Sequence, residues 1–380
     1  MPLVERMIVD IREEMVWRAL DARYTLVEVA AEFGVSIPTV RLWRDRYRAS
    51  GRSGLSDRSH APHLSPFKTD PAVEALIVDD RRRFKWGSKK ILRRLRDEYP
   101  EMELPARSTV DGILARNGLV DHSKPPRQAA RSPFIQRYTA GAAGELMTLD
   151  HKGQFRLRNG QYCFPLTICD SFSRYVMACQ ALPSTSLNHA WPVIVRLFRE
   201  HGLPLAAQSD NGPPFGSTSG KFSTMSVRFM SLGIQPIFSR PGRPGDNGRH
   251  ERMHRDLKRE ATRPPAATMR AQQCQFDSFR SMYNLERPHE GIALARPASL
   301  FHGTDRPYPK RVPTPEYDLH LEKRKVTDAG SINWRNQAIF ISEALRGQTV
   351  GLEPAANATL NVHFYAFFIG KIDEDKGQFI

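Results

Sequence analysis

Two short apolar runs that each end on an acid constrain the fold of this chain more than any other feature. Residues 145–150 read ELMTLD and residues 205–210 read LAAQSD; His151-Lys152-Gly153 follows the first run and Asn211-Gly212 breaks the second. A brief apolar stretch closed by turn-forming residues is a strand pattern. An acid in that place sits at the strand's carboxyl end, facing the crevice where open sheets put ligands. A third acid, Glu251, lies in a cation-rich helical segment, RPGRPGDNGRHERMHRDLKRE, at 240–260. Taken singly, each acid reads as a turn or capping carboxylate; together, Asp150, Asp210 and Glu251 form a candidate metal cage.

Three other acids compete with them. Asp246 follows Pro244-Gly245 and reads as the N-cap of the helix that carries Glu251. Asp170, in ICDSFSR, ends a second apolar run and could approach the site. Glu260 is nine residues past Glu251, roughly on the opposite helical face. Arg255 and Lys258, four and seven residues after Glu251, share its face. They suit either a solvent-exposed ion pair or the orienting of DNA phosphates.

At these residues the chain resembles the integrase-core transposases of bacterial insertion sequences, relatives of the retroviral integrases. The family's acid triad matches Asp150, Asp210 in SDNG, and Glu251 in PGDNGRHERMHRDLK. There are departures. Asp210 and Glu251 are 41 positions apart, longer than the family's usual spacing, with the surplus assigned to the Gly216–Ser226 loop. Leu146 stands where many relatives carry a tryptophan. The resemblance implies a polynucleotidyl transferase in which water frees a 3′ hydroxyl that then attacks target DNA. It also implies Mg2+ or Mn2+ in a two-metal site. Such an in-line displacement at phosphorus uses two ions about 3.5–4 Å apart, and magnesium prefers a few hard carboxylate oxygens plus water and phosphate.

Around the acids the pattern is α/β. Met147–Leu157, Gln161–Cys169 and Tyr175–Leu182 are strand-like, and Asn159-Gly160 between the first two signals an antiparallel hairpin. Leu187–Glu200 is amphipathic and helical despite Pro192, Gln235–Phe238 reads as a last strand, and Ala271–Asn284 is helical. This order resembles the RNase H-like fold of the family. RPHE at 287–290 resembles the family's tail motif; His289 there is as readily structural as metal-facing.

Ahead of the core, Ile11, Met15, Val16, Leu20, Leu26, Val29, Ala30 and Phe33 follow helical spacing. Gly34 breaks the second helix and Ser36 caps a third, which continues through Val40 and Trp43. The layout resembles a helix-turn-helix domain with Thr39, Arg41, Arg44 and Arg48 offered to the major groove; a plain three-helix bundle is the alternative. A Ser-, Pro- and His-rich linker at 52–69 precedes a second such unit, where Val73, Leu76, Ile77, Ile91, Leu92, Leu95, Val110, Ile113 and Leu114 mark the apolar faces. Arg107 and Ser108 open its last helix.

The fold class expected is therefore multidomain: all-α helix-turn-helix modules at 1–63 and 70–119, a basic linker at 120–140, an α/β RNase H-like catalytic core at 141–300, and a small β-barrel at 318–380. Short strands at Lys323–Thr327, Ser331–Trp334, Gln337–Ile341, Thr349–Glu353, Leu360–Phe364 and Phe367–Ile372 carry the last assignment.

Composition agrees with a phosphate-bearing partner. The 380 residues carry a net charge of +15, which fits double-stranded DNA, both element ends and target, or an acidic membrane surface. Four cysteines with no CxxC pair argue against a zinc site and for a reducing compartment. Acids and arginines in MPLVERMIVDIREEM stand too early for a signal peptide, and no run suggests a membrane span. The expectation is a soluble, cytoplasmic, DNA-binding enzyme that acts as a homo-oligomer because two ends are handled together. A non-catalytic DNA-binding regulator derived from a transposase is the rival, and a nuclease that hydrolyses without joining is a second.

Overall fold

The computed structural model describes residues 8–57, 68–120, 138–212, 214–216, 222–239 and 248–380. The Asp246 cap, most of the basic linker and part of the Gly216–Ser226 loop lie outside them. The chain divides into two units, 1–69 and 70–380.

In the first unit α1 (Ile8–Leu20), α2 (Leu26–Glu32) and α3 (Ile37–Ser50) close over Met15, Val16, Val29, Ala30, Val40, Trp43 and Leu55. Thr25 and Glu28 form a capping box at the start of α2, which satisfies two otherwise orphaned N–H donors. Gly34 turns the chain at φ +62°, a left-handed conformation glycine adopts without strain, and Ser36 caps α3 through Thr39 N. Ile11 and Leu20, expected in the core, are exposed. The stripe is narrower because Arg12 takes the inner position, its guanidinium over the Trp43 ring at 3.8 Å and donating to Leu55 O at 2.8 Å.

The second unit begins with α4 (Pro71–Phe84), α5 (Ser88–Glu98) and α6 (Arg107–Arg116), packed on Ile77, Ile91, Leu95, Val110 and Ile113. A buried Asp80–Arg94 pair at 2.7 Å ties α4 to α5. Met282 joins this apolar cluster from the core, and Arg296 meets Asp97 at 3.3 Å.

The core sheet holds β1 (Leu146–His151), β2 (Phe155–Arg156), β3 (Tyr162–Asp170), β4 (Val176–Leu182), β5 (Ala206–Ser209) and β6 (Gln235–Phe238). The order is β4–β3–β1–β5–β6, with β2 extending alongside β3. β3 is antiparallel to β1 and β4, while β1, β5 and β6 are parallel. The hairpin expected at Asn159-Gly160 forms: Leu157 N donates to Gln161 O and Gly160 N to Leu157 O. Only Gly160 of the Asn-Gly pair has positive φ, +87°, so a left-handed glycine closes the turn in place of the two positive-φ residues of a type I′ turn.

Strand alternation sends Met147, Leu149, Leu166 and Ile168 to one face, under α7 (Leu187–His201) and α8 (Thr224–Ser231). Cys163, Cys169, Cys179 and Leu157 go to the other, under α9 (Gly248–Ala261) and α10 (Met269–Ser281). The result is an α/β/α sandwich.

After a short helix α11 (Pro297–Leu300) come β7 (Glu322–Lys325), β8 (Ser331–Trp334), β9 (Gln337–Phe340), β10 (Thr349–Ala355), β11 (Thr359–Phe364), β12 (Phe367–Asp373) and β13 (Gln378–Phe379). The strands fall where expected, and the expected small barrel is present in part, as a half-barrel sheet. Five of them form an antiparallel sheet, β13–β12–β11–β10–β7, with free edges among the described residues, and β8–β9 is a separate hairpin. Val227 and Met230 of α8 enter this module's core, so helix packing covers apolar surface that barrel closure would otherwise bury.

Candidate metal and nucleic-acid site

The parallel ladder pairs Thr148 with Gln208. The ladder stops there; Asp150 lies two residues further along β1, and Asp210 is the residue that follows the end of β5. Thr148 belongs to the sheet face covered by α9, where its hydroxyl lies 3.0 Å from His250 Nδ1. Asp150, two residues on, shares that face, and α9 carries Glu251 in its first turn.

Charge links the three acids. Burial raises the Asp150 carboxyl to about 7, the Asp210 carboxylate adds to the rise and Glu251 contributes, against Lys152 and the His151 backbone N–H. Asp210 and Glu251 are themselves exposed, and Asp210 Oδ1 accepts from Gly212 N at 3.2 Å.

His250 and His254 are the residues that sequence reasoning missed. Both are buried and both Nε2 atoms lie 2.6 Å from the Thr167 hydroxyl, which also donates to Asp150 O at 3.0 Å. The Thr167 oxygen has room to accept from both rings, and the tautomers decide which Nε2 carries a proton. His254 Nδ1 lies 3.7 Å from Asp150 Oδ2. Burial pushes His250 down to about 3; for His254, burial and the neighbouring His250 push it to about 2, so both rings are neutral at pH 7. Asp150, His250 and His254 together could hold a metal ion, but both Nε2 atoms are engaged by Thr167, leaving the rings to brace Asp150. The signal in the sequence was HERMH, histidines at i and i+4 on the side of Met253 and Leu257. Beside them His151 is pushed down to about 4 by burial, against a backbone contact with Pro165 that raises it.

Asp170 is structural: Oδ1 accepts from Gly144 N at 2.8 Å and Oδ2 from Ser173 N and Oγ at 2.7 and 2.6 Å. Glu260 takes Arg287 at 3.3 Å, and His289 packs on Tyr283. Glu251, Arg255 and Lys258 are exposed on α9. Of the groove candidates, Arg41 and Arg48 are exposed on α3, Arg44 pairs with Asp45 at 3.1 Å, and the Thr39 hydroxyl lies 2.8 Å from Ser36 Oγ. Arg107 and Ser108 are exposed at the start of α6.

Residues 232–297 match the integrase core domain family, 11–63 a helix-turn-helix domain and 39–114 a homeodomain-like domain. These matches place an integrase-core domain and helix-turn-helix domains within the matched segments. Among solved structures the chain is similar to the magnesium-bound integrase catalytic core of HTLV-2 (14% identity, 43% of this chain and 100% of that one, TM-score 0.35). It is also similar to the BIV integrase core (20%, 42% and 94%, 0.32) and to the simian T-cell lymphotropic virus intasome with a PP2A regulatory subunit (14%, 75% and 91%, 0.39). Overlaps this loose carry no functional weight. No helix among the described residues is long and apolar enough to cross a membrane.

Proposed function

We propose that the protein is a DNA transposase that binds the terminal inverted repeats of its own element and catalyses metal-dependent strand cleavage and strand transfer. What supports this reading is the sequence triad together with its setting: Asp150 near the end of β1, Asp210 directly after the neighbouring parallel strand β5, and Glu251 in the first turn of α9. The donor set suits Mg2+ or Mn2+: hard oxygens, one of them on a carboxyl whose raised proton affinity a cation would relieve. When bound, a pair of such ions supplies charge stabilisation to the attacking and leaving oxygens.

The chain's own residues then hold and orient. Asp150, Asp210 and Glu251 are the ligands, and His250, His254 and Thr167 fix the backbone and carboxyl of Asp150. Arg255 and Lys258 align phosphates beside Glu251. Thr39, Arg41, Arg44 and Arg48 on α3, with Arg107 and Ser108 on α6, read or grip the element ends. We assign the helix-turn-helix units to 1–63 and 70–119, the linker to 120–140, the core to 141–300 and the terminal module, a half-closed barrel, to 318–380. The active form is a homo-oligomer on DNA.

The test is cleavage and joining of a labelled duplex carrying the element's ends, with Mg2+ or Mn2+, for the parent and for Asp150→Asn, Asp210→Asn and Glu251→Gln. Joining lost in each variant, with duplex binding kept, supports the transposase. Cleavage without joining points to a nuclease, and binding without cleavage in the parent points to a regulator.

A further inference from the structure

The acids leave one concave region without a role. A cavity of about 670 Å³ opens between α5, α9 and the segment that follows α10, with seven cations on its wall against two carboxylates, Asp256 and Glu290. Both carboxylates are already engaged. Asp256 takes Arg287 at 2.6 Å and Arg259 at 3.1 Å, and Glu290 takes Lys89 at 3.8 Å. Arg287 is buried, yet its Nε has no hydrogen-bond partner among the described residues. Among the described residues no carboxylate lies within ion-pair distance of Lys90, Arg174 or Arg252.

The surplus charge is felt by its members. Burial, then Arg287, lowers the Lys90 ammonium to about 8 against Asp256, Glu290 and Glu260, and burial, then Arg249, lowers the Arg174 guanidinium to about 10 against Tyr283 and Asp170. An anion seated between them would offset that cost of burial. A solvated charge run would not have this property, because its members would face water, whereas Lys90 and Arg174 are half-buried.

We propose that this cavity seats the phosphodiester backbone of one DNA strand, with Lys90, Arg174 and Arg252 on successive phosphates, and that it links the second helix-turn-helix unit to the catalytic core. Lys90 comes from α5, beside the helix that begins at Arg107. Arg252 comes from α9, next to Glu251. Arg255 lines the same wall and shares the exposed face of Glu251, so a strand leaving the cavity continues toward the acids. This inference rests on the transposase reading. A free oligophosphate has the same chemistry as the backbone, and the test separates the two.

The experiment measures binding of a labelled duplex carrying the element ends to the full chain, without metal, from 50 to 300 mM salt, for the parent and for a Lys90→Gln/Arg252→Gln variant. Each phosphate contact contributes about 0.9 to the slope of log K against log salt, so the variant's slope should fall by about 2 and its affinity at 0.15 M by about 30-fold. Inorganic tripolyphosphate should displace duplex more weakly from the variant. An unchanged slope overturns the proposal. An unchanged slope with tripolyphosphate binding lost assigns the cavity to a free oligophosphate instead. Metal-dependent joining by the parent is followed separately: if it occurs while the slope is unchanged, only the cavity assignment fails, and a parent that neither binds nor joins sinks both readings.

Discussion

Replacing Thr167 by valine removes one hydroxyl and almost no volume. In the parent that oxygen is fully buried, lies 2.6 Å from two imidazole Nε2 atoms and donates to Asp150 O at 3.0 Å. The variant takes this partner from two buried imidazole nitrogens, and each buried polar group left unpaired costs about 1–3 kcal/mol. Allowing the rings to reorient, we expect Thr167→Val to destabilise the protein by about 3 kcal/mol. For a core of about 150 residues this lowers Tm by about 9 °C. Thr167→Ser keeps the hydroxyl and should lose much less. Thermal unfolding of the full chain, monitored by near-ultraviolet circular dichroism, measures both. A valine variant that melts within a degree of the parent would refute the shared-hydroxyl hub and, with it, the role given to the two histidines. Strand joining should fall in the valine variant at temperatures where it is still folded, because the backbone bearing Asp150 is no longer held.

Three further outcomes are expected. His250, His254, His151 and His289 are all held below the ordinary histidine value, chiefly by burial. The unfolded chain therefore binds more protons just below pH 6.5, and stability, complete above that pH, should fall as the solution is acidified toward pH 4. Each histidine contributes up to about 1.4 kcal/mol per pH unit, opposed by the carboxyls that burial raises, Asp150 and Asp80; urea unfolding that is flat from pH 7 to 5 would contradict this. Because a proton on Asp150 competes with metal, Mn2+ affinity measured by calorimetry should rise by up to about tenfold per pH unit below pH 7, with proton release, and a pH-independent affinity would argue against Asp150 as a ligand. Finally, Arg41→Ala/Arg48→Ala should weaken duplex binding and reduce its salt slope by about 2; a loss of affinity with no change in slope would indicate misfolding of the first unit.

The strands that carry the acids were legible because each pairs a short apolar run with turn residues at its end, a local signal that needs no partner. Gln235–Phe238 was found with its observed limits for the same reason. What failed was non-local. Arg12 displaces Ile11 from the first unit's core through a contact with Trp43 that spacing does not reveal. The terminal module's core takes Val227 and Met230 from α8, about a hundred residues upstream. HERMH shows two histidines on one face, but only the fold brings Thr148 and Thr167 to meet them. The basic cavity is assembled from three segments, and a reading along the chain meets each only as a charge run.

Helix α9 presents Glu251 to solvent beside the other acids, His250 and His254 to the sheet, and Arg252 to the cavity. Adjacent helical residues are turned by about 100°, so these duties occupy separate sectors of one cylinder. A point substitution touches one sector and leaves the others in place. A single-residue insertion or deletion within 248–252 would instead rotate every side chain on one side of it and detach all three duties together. A substitution on this helix should therefore cost one duty at a time, and a change in length all of them.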